Sequence, residues 1–89
     1  MQDEDLPTLI QTPPGLYRHY KGGMYAVLAT TRHSESLEPM TLYRALYGTH
    51  GLWVRPAAMF EELVLWKGVQ QVRFTRICDL PAGALELAS

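Results

Sequence analysis

His33-Ser34-Glu35 sets an imidazole, a hydroxyl and a carboxylate on three consecutive residues, preceded by Arg32 and followed by Glu38. Such groups move protons, attack carbonyl carbons or hold anions. Side chains adjacent in an extended loop diverge, whereas working nucleophilic triads are assembled from distant segments. The stronger expectation is therefore a turn in which Ser34 or Ser36 caps a backbone N–H while Glu35 faces solvent. A general acid–base role stays open, with His33 as the proton carrier and Glu35 or Glu38 orienting it, so His33, Glu35 and Glu38 are the catalytic candidates. The same loop offers a second chemistry, in which Arg32 neutralises an anion and His33 and Ser34 donate hydrogen bonds to it.

Rings extend that second possibility. Tyr43 and Tyr47 share one parity of a single apolar stretch, and Trp53 and Arg55 share one parity of the next. Such spacing sets aromatic faces beside a guanidinium on one surface, able to stack a planar ligand. Arg32, His33, Ser34, Tyr43, Tyr47, Trp53 and Arg55 are thus the expected binding set for a small anionic or nucleotide-like molecule. His19, His33 and His50 are scattered one per segment, without the short spacings of metal pairs, so no metal and no cofactor is expected. The single cysteine, Cys78, lacks a flanking motif and reads as a small apolar residue at a strand end.

Strands must position these groups. Leu16 to Lys21 alternates and ends in Lys21-Gly22-Gly23, a glycine pair suited to a tight hairpin turn. Met24 to Thr30 is apolar on both faces, as a central strand requires. Pro39 holds Glu38 extended and launches a third strand, Met40 to Tyr47. Met40, Leu42 and Leu46 read as its core face, interrupted by Arg44, with Thr41, Tyr43, Ala45 and Tyr47 opposite. A guanidinium on a core face needs a partner, so Arg44 is expected to form a structural ion pair with Glu35 or Glu38. Gly48 to Gly51 is a hairpin loop, Leu52 to Arg55 a fourth strand, and Pro56 to Glu62 a short helical connector that plugs a sheet end with Met59 and Phe60. Leu63 to Trp66, a turn at Lys67-Gly68, and Gln71 to Ile77 complete a last hairpin. The expected fold is mainly all-β: a small SH3-like antiparallel barrel of five or six short strands with one short helical turn. Residues 1–14 read as a flexible leader, 15–77 as the single domain and 78–89 as a flexible tail.

Composition bounds the function. The 89 residues suffice for one domain, and 47% hydrophobic against 19% charged residues belongs to a chain that folds. All eight Lys and Arg residues lie between Gly15 and Ile77 with only four acids, so the net charge of -1 conceals a mildly basic folded part. That excess suits a small anion better than a long phosphate backbone, which makes nucleic acid an unfavoured partner. The acidic Asp3-Glu4-Asp5 opening does not resemble a signal peptide, and no apolar run approaches the length of a membrane span, so a cytoplasmic location and no membrane partner are expected.

Gly15-Leu16-Tyr17-Arg18-His19-Tyr20-Lys21-Gly22-Gly23-Met24-Tyr25-Ala26-Val27, Arg32-His33-Ser34-Glu35-Ser36-Leu37-Glu38-Pro39, Tyr43-Arg44-Ala45-Leu46-Tyr47 and Leu52-Trp53-Val54-Arg55-Pro56 with Met59-Phe60 together resemble the bacterial domain of unknown function 1653. The resemblance spans about Gly15 to Arg76. It implies a small β-rich, SH3-like barrel domain occurring as a stand-alone bacterial protein, with no activity or functional residue to carry over. A ligand-binding module is accordingly preferred to an enzyme. The alternatives are a small His/Glu acid–base hydrolase or isomerase, and a protein-interaction or homo-oligomer role through Leu63, Leu65 and Trp66 of the last hairpin.

Overall fold

The alternating stretches form seven strands in the structure, a computed structural model that describes residue 9 and residues 11–80. β1 (Gly15–His19), β2 (Met24–Arg32), β3 (Pro39–Ala45) and β4 (Leu52–Pro56) run as an antiparallel meander. A short helix, α1 (Ala57–Phe60), leads to β5 (Leu63–Trp66), β6 (Val69–Val72) and β7 (Phe74–Cys78). The main sheet has the order β4-β3-β2-β1-β7, and β5 and β6 pair separately as a hairpin. The architecture is mainly antiparallel β with one short helix, and among the described residues the main sheet is open, with β4 and β7 at its edges.

The expected last strand, Gln71 to Ile77, is two elements. Arg73 breaks it: its N–H donates to the Glu62 carbonyl at 2.8 Å and its carbonyl accepts from the Tyr20 N–H at 3.0 Å, so the chain leaves the hairpin there and joins β1. The β1–β2 turn uses one of the paired glycines: Gly22 takes φ +105° and its N–H donates to the His19 carbonyl, while the Gly23 carbonyl accepts from the His19 N–H, so the loop is three residues, Tyr20-Lys21-Gly22, instead of two.

Aromatic rings build the core. Tyr17, Val27, Tyr43, Phe60 and Phe74 are buried together, with Tyr25 packed against them. Phe60 stacks on Phe74 at 4.0 Å between centroids, and Tyr17 and Tyr43 meet Phe60 edge-on at 5.4 and 5.3 Å. The connector plugs this end with Phe60 alone, because Met59 remains exposed.

The core face of β3 is therefore Thr41, Tyr43 and Ala45, not Met40, Leu42 and Leu46, which are half-buried on the reverse side. A bulge helps set this register. Val27 pairs with Tyr43 but Ala29 pairs with Leu42, leaving Leu28 extra, so Val27 and Thr30 come to share a face despite opposite parity. Arg44 lies on the reverse side yet is buried, and its Nη1 donates to the His50 carbonyl. The expected pair with Glu35 or Glu38 is not formed. Those carboxylates belong to the β2–β3 loop, whereas Arg44 lies six residues beyond Glu38, roughly 20 Å along an extended strand. Ion pairs among the described residues are Arg73–Glu62 and Arg76–Asp79.

Part of the expected leader packs on the sheet. Thr12 is buried, its N–H donates to Thr30 Oγ1 at 2.9 Å and its hydroxyl bonds that of Thr41, while the Tyr17 hydroxyl donates to the Pro13 carbonyl at 2.7 Å. Cys78 is exposed in β7. The remainder of the expected leader and the tail from residue 81 onward lie outside the described residues.

Candidate functional site

Tyr43 and Trp53 are cross-strand partners in β3 and β4, and Tyr25 of β2 is the partner of Ala45, so one face of three neighbouring strands carries three rings side by side. Tyr47 follows from the β3–β4 loop. Together with Gly48, Thr49 and Gly51 these residues line a cavity of about 290 Å³. Tyr25 meets Tyr43 and Tyr47 edge-on at 5.5 and 5.6 Å, and the Tyr25 and Tyr47 hydroxyls share a hydrogen bond of 2.6 Å. The outer rim stays open, because Tyr47 is 54% and Trp53 60% exposed. Burial, followed by the bond to Tyr47, pushes the Tyr25 phenol up to about 12. Its hydroxyl is a hydrogen-bonding group rather than a base near neutrality.

The loop that supplies half of this hollow is held by its own backbone and from below. Ala45 N–H donates to the Gly51 carbonyl and His50 N–H to the Tyr47 carbonyl, both at 3.1 Å. Gly48 and His50 take φ values of +58° and +57° to make the turn. Arg44 reaches the His50 carbonyl from the opposite face of β3.

Arg55 lies two residues along β4 from Trp53 and so shares its face. Its guanidinium carbon sits 6.0 Å from the Phe74 centroid, and its buried Nε has no hydrogen-bond partner. His19, paired with Phe74 across β1 and β7, holds its ring 4.9 Å from that same phenyl. Burial lowers the His19 imidazole, and Arg55, Arg73 and Lys21 lower it further by charge repulsion.

The binding residues expected from sequence thus divide. Tyr43, Tyr47 and Trp53 converge on the hollow with Arg55 on the same face, while Arg32, His33 and Ser34 lie at the far end of the sheet, where Arg32 pairs with Pro39. The β2–β3 loop is closed on itself. His33 Nδ1 accepts from the Glu35 and Ser36 N–H groups at 3.1 and 3.2 Å, and the Ser36 hydroxyl caps the Glu38 N–H at 3.3 Å. Ser36 also donates to Glu38 Oε1 at 3.3 Å, and Arg32 Nη1 donates to the Leu37 carbonyl. His33, Ser34, Glu35 and Glu38 are exposed. Among the described residues no group of His, Cys, Asp and Glu side chains is placed to hold a metal, and no helix is long and apolar enough to cross a membrane.

Sequence reasoning missed Tyr25 and His19. Both were visible as strand residues flanking the Gly22-Gly23 turn, and in an antiparallel meander that turn falls at the same sheet end as the β3–β4 loop.

Comparison with known proteins meets this geometry only at the level of family. The family model described as a protein of unknown function, DUF1653, matches residues 15–76. The crystal structure of a DUF1653 protein from Bordetella bronchiseptica is similar at a TM-score of 0.72 and 32% sequence identity, covering 79% of this chain and 92% of that one. No curated protein matches the chain.

Proposed function

We propose that this chain, which belongs to the DUF1653 family, is a small ligand-binding module whose aromatic hollow takes the planar ring of an anionic or nucleotide-like molecule. The observation that carries the reading is the hollow itself: Tyr25, Tyr43, Tyr47 and Trp53 around about 290 Å³, with no carboxylate among the lining residues. A cavity of that size is at the lower end of ligand pockets and accommodates a ring rather than a whole nucleotide. The charged remainder would then lie outside it, on the face that carries Arg55. Stacking of a base on such rings contributes about 1–3 kcal/mol. In this reading the curled sheet is an SH3-like barrel, and the protein is a bacterial, cytoplasmic one in which the lone Cys78 needs no oxidising compartment.

The test is a titration with adenosine 5′-monophosphate followed by the Trp53 indole N–H and the amides of Tyr47 and Thr49. Those signals move together, and Trp53→Ala abolishes the response. Saturating nucleotide that moves none of them would refute the reading.

The acid–base reading has less support, since it needs His33 in a cleft and bonded to a carboxylate. His33 is exposed, and its Nδ1 accepts from two backbone N–H groups instead. One observation favours self-association as a second reading: Leu63, Leu65 and Val69 are 58%, 76% and 57% exposed on the β5–β6 hairpin. Trp66, by contrast, packs edge-on against Tyr20 at 5.5 Å. Sedimentation that shows monomer alone at high concentration removes self-association.

A further inference from the structure

We infer that Arg55, Arg73 and His19 form a phosphate subsite beside the aromatic hollow, so that the ligand class is a phosphate monoester carried on an aromatic base. The inference rests on the reading of the hollow for the base alone; the phosphate subsite stands on its own residues.

Phe74 gathers these groups. His19 is its cross-strand partner with ring centroids 4.9 Å apart, Arg55 Cζ lies 6.0 Å from its centroid, and Arg73 immediately precedes it in the chain. β1 and β4 thus bring an imidazole and a guanidinium to one phenyl, and Arg73, at the β6–β7 junction, is near enough to act on His19 by its charge. The backbone of Arg73 is fixed by bonds to Glu62 and Tyr20, which holds the junction in place.

The Nε atoms of Arg55 and Arg73, like that of Arg44, are unpartnered and covered by protein, so an incoming anion would meet the terminal Nη groups. Arg73 Nη2 pairs with Glu62 Oε1 at 3.0 Å, whereas Arg55 has no ion pair among the described residues. Charge is also unbalanced. Arg55, Arg73 and Lys21 all act on His19, Glu62 is the carboxylate on Arg73, and the other groups against His19 are the uncharged Tyr20, Tyr25 and Phe74. A phosphate supplies up to two negative charges and three acceptor oxygens, which matches two planar guanidinium forks and an imidazole better than a carboxylate does. Trp53 and Arg55, two residues apart on one strand face, are separated by roughly 7 Å, the reach of one sugar between base and phosphate.

The same arrangement couples the phosphate to a proton. Repulsion from Arg55, Arg73 and Lys21 helps keep His19 neutral, and a bound dianion offsets that repulsion, so His19 takes up a proton as phosphate binds.

Inorganic phosphate and adenosine separate the two halves. The His19 imidazole C–H signals are followed against pH with phosphate, with sodium chloride of equal ionic strength, and with adenosine. Phosphate, but not chloride, raises the His19 midpoint, and Arg55→Met removes the effect while the amide spectrum stays dispersed. If Arg55→Met does not fold, Arg73→Gln takes its place, with a phosphate affinity at least several-fold weaker expected. Adenosine 5′-monophosphate binds at least ten-fold more tightly than adenosine, and the ratio collapses towards one in the variant. Adenosine that shifts Trp53 while phosphate leaves His19 unmoved would overturn the subsite and leave the hollow standing. Phosphate that moves His19 while adenosine leaves Trp53 unchanged supports the subsite and overturns the hollow.

Discussion

Arg44→Met isolates a device that the fold places beneath the hollow. Arg44 is 7% exposed on the reverse side of β3 from Tyr43 and Ala45, and its Nη1 holds the His50 carbonyl of the loop that carries Tyr47, Gly48, Thr49 and Gly51. Two effects oppose each other on removal. A hydrogen bond made by a charged group contributes about 1.5–3 kcal/mol. Against it stands the buried, unpartnered Nε, whose removal relieves about 1–3 kcal/mol. Methionine keeps an unbranched apolar stem in the space, so global stability should stay within about 1 kcal/mol of wild type. The loop, however, loses its tie outright. Freed by about 1.5–3 kcal/mol, it should open about 10- to 150-fold more often. Native-state amide exchange reads this directly. The Ala45 amide, bonded to Gly51, and the His50 amide, bonded to Tyr47, should exchange faster, while the Val27 and Tyr43 amides in the sheet centre keep their rates. Nucleotide affinity at the hollow should fall with them, and Arg44→Lys, which keeps a charged donor, should recover part of both. Unchanged exchange at Ala45 and His50, or a global loss above about 2 kcal/mol, would show that Arg44 serves the sheet and not the loop.

Three further outcomes follow from the same contacts. The Tyr25 phenol, raised to about 12 from an ordinary 10.0, keeps its proton in the folded state where the unfolded chain loses it. Its contribution is complete below pH 10 and is lost as pH rises through the folded value, so Tyr25→Phe should flatten the alkaline fall in urea midpoint; an unaltered slope contradicts the assignment. His19 is shifted the other way, so its contribution is present above the ordinary 6.5 and is lost as pH falls through the lowered folded value. His19→Asn, which can still accept the Lys21 N–H, should lessen the acid-side loss of thermal stability, and a loss as steep as wild type speaks against the imidazole as its source. At Gly15 an added Cβ would lie 2.7 Å from the Cys78 carbonyl and 2.8 Å from Arg76 Nε, so β1 and β7 must part. Gly15→Ala should cost about 1–3 kcal/mol and lower the thermal midpoint by at least about 4 °C; an unchanged midpoint rejects the clash.

The two faces of β3 are legible in the sequence, but which one points inward is not. Leucine at positions 42 and 46 outranks threonine and tyrosine in any hydropathy count, and that ranking reverses the register. The core is instead made from rings, Phe60 and Phe74 together with tyrosines of which two bond at its margin: Tyr17 donates to the Pro13 carbonyl, and the Tyr25 hydroxyl shares a bond with that of Tyr47. Tyrosine placed this way buries a large apolar face and still satisfies its polar tip, so it acts as core while scoring as surface. The bulge at Leu28 adds a second difficulty, because a single inserted residue inverts the parity of β2 with no mark in its apolar run.

The candidate site divides for a topological reason. In an antiparallel meander, successive turns fall at opposite ends of the sheet, so the β2–β3 loop is carried away from the β3–β4 loop by the whole length of β3. Arg32, His33 and Ser34 cannot join Tyr47 and Trp53 in any register of such a sheet. Cross-strand pairing then decides what does assemble: Tyr25 opposite Ala45, Tyr43 opposite Trp53, and His19 opposite Phe74 bring residues of β1, β2, β3, β4 and β7 together towards the end marked by Gly22 and His50. The charge-rich loop at 33–38 uses its donors and acceptors to close its own turn. Arg55, opposite Thr41 in β4, sends its guanidinium to the Phe74 ring and makes no ion pair among the described residues. Under the proposed reading, a guanidinium without an ion pair beside an open aromatic hollow points to a ligand better than a dense run of polar residues does, because a polar turn can satisfy itself.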